Sequence, residues 1–299
     1  RLEEFNVRSI WVSYPGMEFL DRFIDPAVID GQSKVVNRIT DAFEQVQQDA
    51  SPRLSYNQYT AAISQLVTSF IENPKAAVFM DALTEGGDSG LVRHSSAVML
   101  LSVLMGLKLE GYLVRERKHI DPARAKQVVN LGVGAMLHDI GLAKLPPEVV
   151  QQERESHAAS DEYREHTAIG YRMVRGQIEP SAAAVLLQHH QRYDGTGYTG
   201  RDFPVLEGGR IHIFPRIVAL ADAFDRLKHP HGFGEQPTVW CLHALLQESI
   251  QAQFDPEVMR ALFAVVPPYP PGSLVHLTDG RTAIATDHHL TDPCHPNVQ

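Results

Sequence analysis

The stretch VVNLGVGAMLHDIGLAK, residues 128–144, decides how this chain is read. Val128, Leu131 and Ala135 recur at helical spacing, so an apolar helix runs directly into His138-Asp139. An imidazole and a carboxylate at the end of a buried helix need partners, because an unpaired buried polar group is costly. Alone, a His-Asp pair is weak support for a metal site. The question is whether other segments deliver similar groups to the same interior.

Four of them do. His166 shares a helix with Tyr163, Ile169 and Met173, so it faces the core. His189-His190 end the apolar helix 182–187, and two adjacent buried histidines are hard to explain as packing. Asp222 closes the apolar run Ile217-Val218-Ala219-Leu220-Ala221, where a carboxylate requires a cation or donors. His94 precedes the long apolar stretch Ala97 to Leu107. Neutral imidazole combined with carboxylate suits iron, manganese or zinc better than calcium or magnesium.

Working outward, the pattern is mainly helical. Val35, Ile39, Phe43 and Val46 mark one helix, and Tyr59 to Ile71 a second. Further helices are expected at His94 to Glu110, Pro122 to His138, and Glu162 to Arg175 with Ser160 or Asp161 as N-cap. Ser181 to His190, Pro215 to Leu227, Thr238 to Gln251 and Pro256 to Val265, capped by Asp255, complete the set. Strand-like pieces (Ile10-Trp11-Val12) fall near the start, and residues 86–90 read as a loop. Asp279-Gly280 between Leu274 to Leu277 and Thr282 to Thr286 signals a hairpin. The expected fold is mainly α: a helical bundle with a small β hairpin at the C-terminal end and a short N-terminal appendage. The expected boundaries are 1–31 for a small N-terminal module, 32–265 for the helical domain, and 266–299 for hairpin and tail.

Composition narrows the function. A formal charge of -9 argues against duplex DNA, which needs a basic footprint. Two cysteines, Cys241 and Cys294, make neither a disulfide framework nor a cysteine zinc site, and fit a reducing, cytoplasmic setting. The apolar run 97–107 is shorter than the roughly 20 residues of a membrane span and reads as a buried helix. Most of the 15 histidines, His229 and His231 among them, read as surface residues.

In order, His138-Asp139-Ile140-Gly141, His166 with Ile169-Gly170, His189-His190-Gln191-Arg192-Tyr193-Asp194-Gly195-Thr196-Gly197-Tyr198 and Arg216 to Asp222 resemble the signature of the HD-GYP family. That family comprises cyclic di-GMP phosphodiesterases within the HD superfamily of metal-dependent phosphohydrolases. The likeness extends over roughly His94 to Gly280, including Phe254-Asp255-Pro256-Glu257-Val258. It implies an HD-type bundle and a binuclear site of two transition-metal ions, iron or manganese. One ion would take His94, His138, Asp139 and Asp222. The other would take Asp139, His166, His189 and His190, with Asp139 as the bridge. Water activated between the two cations would then attack the phosphodiester of a cyclic dinucleotide. Asp139 and Lys144 are the candidate catalytic residues. Lys144, Arg192 and Arg216 are candidate phosphate contacts, with Tyr198 as a further substrate contact. The resemblance leaves room for a dimer or a regulatory protein partner.

The chain also departs from the pattern. Leu142 stands where relatives carry Lys, Gly197-Tyr198-Thr199 replaces Gly-Tyr-Pro, and Gln191 replaces Glu. Gly90 offers no carboxylate for a third metal, and Lys228-His229-Pro230-His231-Gly232 replaces an arginine-rich stretch. Two alternatives follow: a weak or inactive signalling module that binds nucleotide or a partner protein, and a different HD phosphohydrolase acting on nucleotides.

Overall fold

A computed structural model describes residues 15–49, 51–75, 90–156, 158–289 and 292–299. The strand-like segment Ile10-Trp11-Val12 and residues 86–89 of the expected loop lie outside the described residues. Gly90, the last residue of that loop, opens a helix.

Helix α1 spans Pro26–Gln48 and α2 spans Tyr56–Glu72. Asp25 caps α1 by accepting from the amides of Ala27 and Val28, and Pro26 fits the first turn because it has no N–H to satisfy. The boundary drawn after residue 31 therefore falls inside a helix. Val28, Gly31 and Val35 are buried on one face, and a Cβ at Gly31 would lie 3.2 Å from Leu66 of α2. Residues 26–31 belong to the helical body.

The centre of the body is α3, Gly90–Lys108. It is long and apolar enough to span a membrane, but it is the buried core helix here, packed on α6, α11 and α14. After α4 (Glu110–Glu116) and α5 (Pro122–Ala125) comes α6, Val129–Leu137. The single helix expected from Pro122 to His138 is thus interrupted after Ala125. Where α6 meets α3, Gly106 lies close enough to α6 that a Cβ would stand 2.7 Å from Leu131.

A 3-10 turn, Ile140–Lys144, follows His138-Asp139. Helices α7 (Pro147–Ser156), α8 (Asp161–Arg164) and α9 (His166–Val174) come next. Ser160 caps α8 through Tyr163 N, so one of the two expected caps is the actual one, but the helix breaks at Glu165. Then come α10 (Pro180–Gln188), α11 (Ile213–Lys228), α12 (Thr238–Leu245), α13 (Glu248–Gln251) and α14 (Pro256–Val265), the last capped by Asp255.

The expected hairpin is present. Strand β1 (Leu274–His276) pairs antiparallel with β2 (Thr282–Asp287), and Gly280 takes the positive φ of 87° that the turn requires. A short strand β3, Asn297–Val298, extends it to three strands. The sheet also holds the N-terminal end. Arg22 donates to Thr286 O at 2.6 Å and pairs with Asp287, and Gln299 donates to Gly16 O at 2.6 Å.

His212 caps α11, its Nδ1 accepting from Phe214 N at 3.2 Å. Burial, aided by the charges of Arg117 and Arg216, lowers its pKa to about 4. The unfolded chain would bind a proton near 6.5, so this group costs stability as pH falls from about 6.5 to about 4. We expect His212→Asn to keep a cap and to remove a pH-dependent loss of stability of roughly 3 kcal/mol between about pH 6.5 and 4, read as the acid slope of thermal unfolding. An unchanged slope would remove His212 from the acid response.

Candidate metal centre

His138 and Asp139 leave the end of α6, and the 3-10 turn after them rests directly on α9. At Gly141 a Cβ would meet His166 O at 2.0 Å and Gly170 N at 2.9 Å. Only glycine permits this backbone approach, and it sets Asp139 beside His166. His189-His190 emerge from the end of α10, Asp222 from the middle of α11, and His94 from the second turn of α3.

The two oxygens of Asp139 face different groups. Oδ1 lies 3.4 Å from Nε2 of both His166 and His189. Oδ2 lies 3.4 Å from His138 Nε2 and 3.8 Å from His94 Nε2. Asp222 Oδ1 is 3.0 Å from His94 Nε2 and 3.9 Å from His138 Nε2, while Oδ2 is 4.0 Å from His190 Nδ1. Two clusters with metal-ligand proximity result: Asp139, His166, His189, His190 and His94, His138, Asp222. Five helices converge here, as the sequence led us to expect.

The imidazoles are held in a ligating orientation. Nδ1 of His138 donates to Ala135 O at 2.8 Å, that of His166 to Tyr163 O at 2.7 Å, and that of His189 to Val185 O and Leu186 O at 3.1 Å each. His94 Nδ1 is bound to Asp225 at 2.6 Å. In His138, His166 and His189 the proton sits on Nδ1 and Nε2 presents its lone pair to the centre, the arrangement in which neutral histidine binds metals. Nε2 of His138 and of His190 and Oδ1 of Asp139 are buried with no hydrogen-bond partner. Such orphaned groups need an explanation, and a pair of divalent cations fits the donor set.

The electrostatics agree. Burial holds His166 down at about 4 and His190 well below its ordinary value, so both rings are neutral. Burial alone would raise Asp139 and Asp222. Interaction with the His138, His189 and His166 rings lowers Asp139, and Arg226 with His94 lowers Asp222. Both remain carboxylates. His94 is the exception: burial would lower it, but Asp222 and Asp225 outweigh that and raise it to about 9.

Beside the clusters opens a cleft of about 600 Å³, lined in part by His94, Asp139, Leu142, Glu153, Tyr163 and Arg226. Several expected substrate contacts are not in its wall. Lys144 Nζ donates to Asp49 O at 2.9 Å, at the C-terminal end of α1, where a cation is favourable. The reason is the turn: at three residues per revolution, side chains two positions apart point roughly 240° apart. Lys144 therefore cannot stand in for Leu142, which packs with Val149 and Tyr163. Arg216 is buried at 5% exposure and fully engaged by Ile211 O, Tyr112 Oη, Asp255 and Glu116. It ties α4, α11 and α14 together. Arg192 is exposed and contacts Thr196.

Tyr198 does border the centre. Its ring stacks on His190 with centroids 4.7 Å apart, and its amide donates to His190 O at 3.0 Å. Gly197 permits this, since a Cβ there would lie 2.3 Å from Arg192 N. Gln191 bonds Leu206 N and Pro204 O, so it fastens the following loop. Thr199 bonds Leu187 O at 2.9 Å.

Sequence reading missed Asp225, Arg93 and Arg226. Arg93 grips Asp225 with two bonds of 3.0 and 3.1 Å. His229, expected at the surface, is half-buried with its Nδ1 3.0 Å from Asp225. Asp225 and Arg226 fall three and four residues after Asp222, on the same face of α11, and that spacing was the available signal.

The fold and this centre define an HD-domain protein: a family model described as HD domain matches residues 111–258, which leaves His94 outside the match. The motif order and the relatives that follow support a likeness to the HD-GYP group. It is 26% identical over 246 residues to a cyclic di-GMP phosphodiesterase of Pseudomonas aeruginosa, covering 79% of this chain and 54% of that one. It is 32% identical over 185 residues to the cyclic di-GMP phosphodiesterase response regulator RpfG of Xanthomonas campestris, covering 60% and 43%. The chain thus spans about half the length of these curated relatives. An HDG"Y"P protein of Bdellovibrio bacteriovorus shares the fold, with a TM-score of 0.53 at 17% identity over 82% of this chain and 76% of that one.

Proposed function

We propose that the chain is a metal-dependent phosphodiesterase that hydrolyses cyclic di-GMP or a related cyclic dinucleotide. The observation that carries this reading is the split of Asp139, one oxygen toward His166 and His189 and the other toward His138 and His94. In this reading His94, His138, Asp139 and Asp222 hold one iron or manganese ion. Asp139, His166, His189 and His190 hold the other. When bound, such a pair supplies charge neutralisation at the phosphodiester and lowers the pKa of water.

The chain's own residues do the rest. Asp225 fixes the His94 ring through Nδ1, and backbone carbonyls fix those of His138, His166 and His189. Tyr198 covers His190 and narrows access of water from that side. The cleft beside His94 and Asp139 admits the phosphodiester. The names of the relatives support the substrate class.

The test is turnover of cyclic di-GMP and other cyclic dinucleotides by protein produced in iron- and manganese-rich medium, with elemental analysis alongside. We expect about two transition-metal ions per chain and a linear dinucleotide product. A folded protein that binds no metal would refute the reading. Two bound metals without turnover would favour the signalling-module alternative, which the displaced Lys144 and Arg216 support.

A further inference from the structure

Arg226 is the residue of the cleft whose position no reading of the motifs had marked. Its Nε donates to Asp222 Oδ1 at 2.8 Å, which fixes the plane of the guanidinium. The terminal nitrogens have looser company: Nη2 is 3.7 Å from Asp139 Oδ2 and Nη1 is 3.6 Å from Glu153 Oε1. Both distances exceed a hydrogen bond. Tyr163 lines the same cleft.

The layering matters as much as the distances. The Asp139 and Asp222 side chains are 1% and 6% exposed, whereas that of Arg226 is 37% exposed. An anion entering the cleft meets the guanidinium before it meets the carboxylate floor. Two other arginines line the cleft: Arg93 is occupied by both oxygens of Asp225, and Arg154 lies on the α7 side of the wall, whereas Arg226 alone of the three is anchored on Asp222 beside the carboxylate floor. Lys144 and Arg216 are spent elsewhere, and Arg192 is not in the cleft wall. A guanidinium anchored through Nε presents its two amino groups as a planar fork, the geometry that binds phosphate through two parallel hydrogen bonds.

We propose that Arg226 is the phosphate-binding residue of the cleft, exchanging its loose contact with Glu153 for two oxygens of the substrate phosphodiester. This rests on the phosphodiesterase reading above. The opposing view makes Arg226 only a counter-ion for Asp222, and the two differ in what its removal changes.

The experiment titrates inorganic phosphate, and separately cyclic di-GMP, into manganese-loaded wild type, Arg226→Ala, Arg226→Lys and Glu153→Gln, with metal content measured on each sample. We expect Arg226→Ala to keep its metals and to bind phosphate at least tenfold more weakly. Arg226→Lys should recover part of that loss, and Glu153→Gln should bind phosphate severalfold more tightly because the competitor is gone. Wild-type phosphate affinity in Arg226→Ala overturns the proposal, as does a loss of phosphate binding that merely follows loss of metal. If the wild type fails to turn over cyclic di-GMP, the substrate reading falls, while the phosphate titration still decides the role of Arg226.

Discussion

Asp139→Asn should strip at least one metal ion from the protein and reduce cyclic di-GMP turnover by two orders of magnitude or more, on the order of what loss of one charge-stabilising group costs an active site. The argument is geometric. Both carboxylate oxygens are engaged, Oδ1 toward His166 and His189 and Oδ2 toward His138 and His94, all at 3.4–3.8 Å. Asparagine keeps the shape, but it removes a full negative charge and turns one oxygen into a donor. The amide nitrogen could donate to an Nε2 lone pair but could not bind a cation. Arg226, whose Nη2 is 3.7 Å from Asp139 Oδ2, would also lose a compensating charge. The variant should remain helical by circular dichroism, because the apolar core of α3, α6 and α10 is untouched. Wild-type metal content in Asp139→Asn would contradict the bridging role.

The second large effect concerns stability. Arg216→Ala should destabilise the fold by about 3–5 kcal/mol, the range for breaking a buried ion pair by removing one partner. Arg216 sits between Asp255 at 2.7 Å and Glu116, with Tyr112 Oη at 3.0 Å and Ile211 O at 2.9 Å. Asp255 is itself 2% exposed and caps α14 through Glu257 N. Without the guanidinium, Asp255 becomes a buried charge whose remaining side-chain donor is Tyr112, and the cap of α14 weakens with it. Denaturant unfolding measures the loss. A cost under about 1 kcal/mol, typical of exposed pairs, would show that water replaces the guanidinium. Metal content should stay at the wild-type level, which separates this residue from the metal centre.

Much of the centre was legible in sequence because its signals are local. His138-Asp139 at the end of an apolar helix, His189-His190 at the end of another, and Asp222 inside a third each violate burial in the same way. The helix period then assigns every one of them to a core face. Asp255-Pro256 and Asp279-Gly280 likewise announce a cap and a turn through the chemistry of two residues.

Tertiary structure alone decided the rest. The breaks after Ala125 and at Glu165 interrupt stretches whose pattern reads as continuous, and the register of α9 against the Gly141 turn rests on a backbone approach with no apolar signature. The fate of the cations was equally hidden. Lys144, Arg192, Arg216 and Arg226 look alike as sequence, because a long charged side chain reaches in any direction. What separates them is the partner each finds: Asp49 O, Thr196, the Glu116–Asp255 pair, and the carboxylate floor of the cleft. Burial and helical spacing are properties of short segments and are written in the sequence. The pairing of charges depends on which segments meet, and that is fixed only when α3, α6, α9, α10 and α11 pack around one centre.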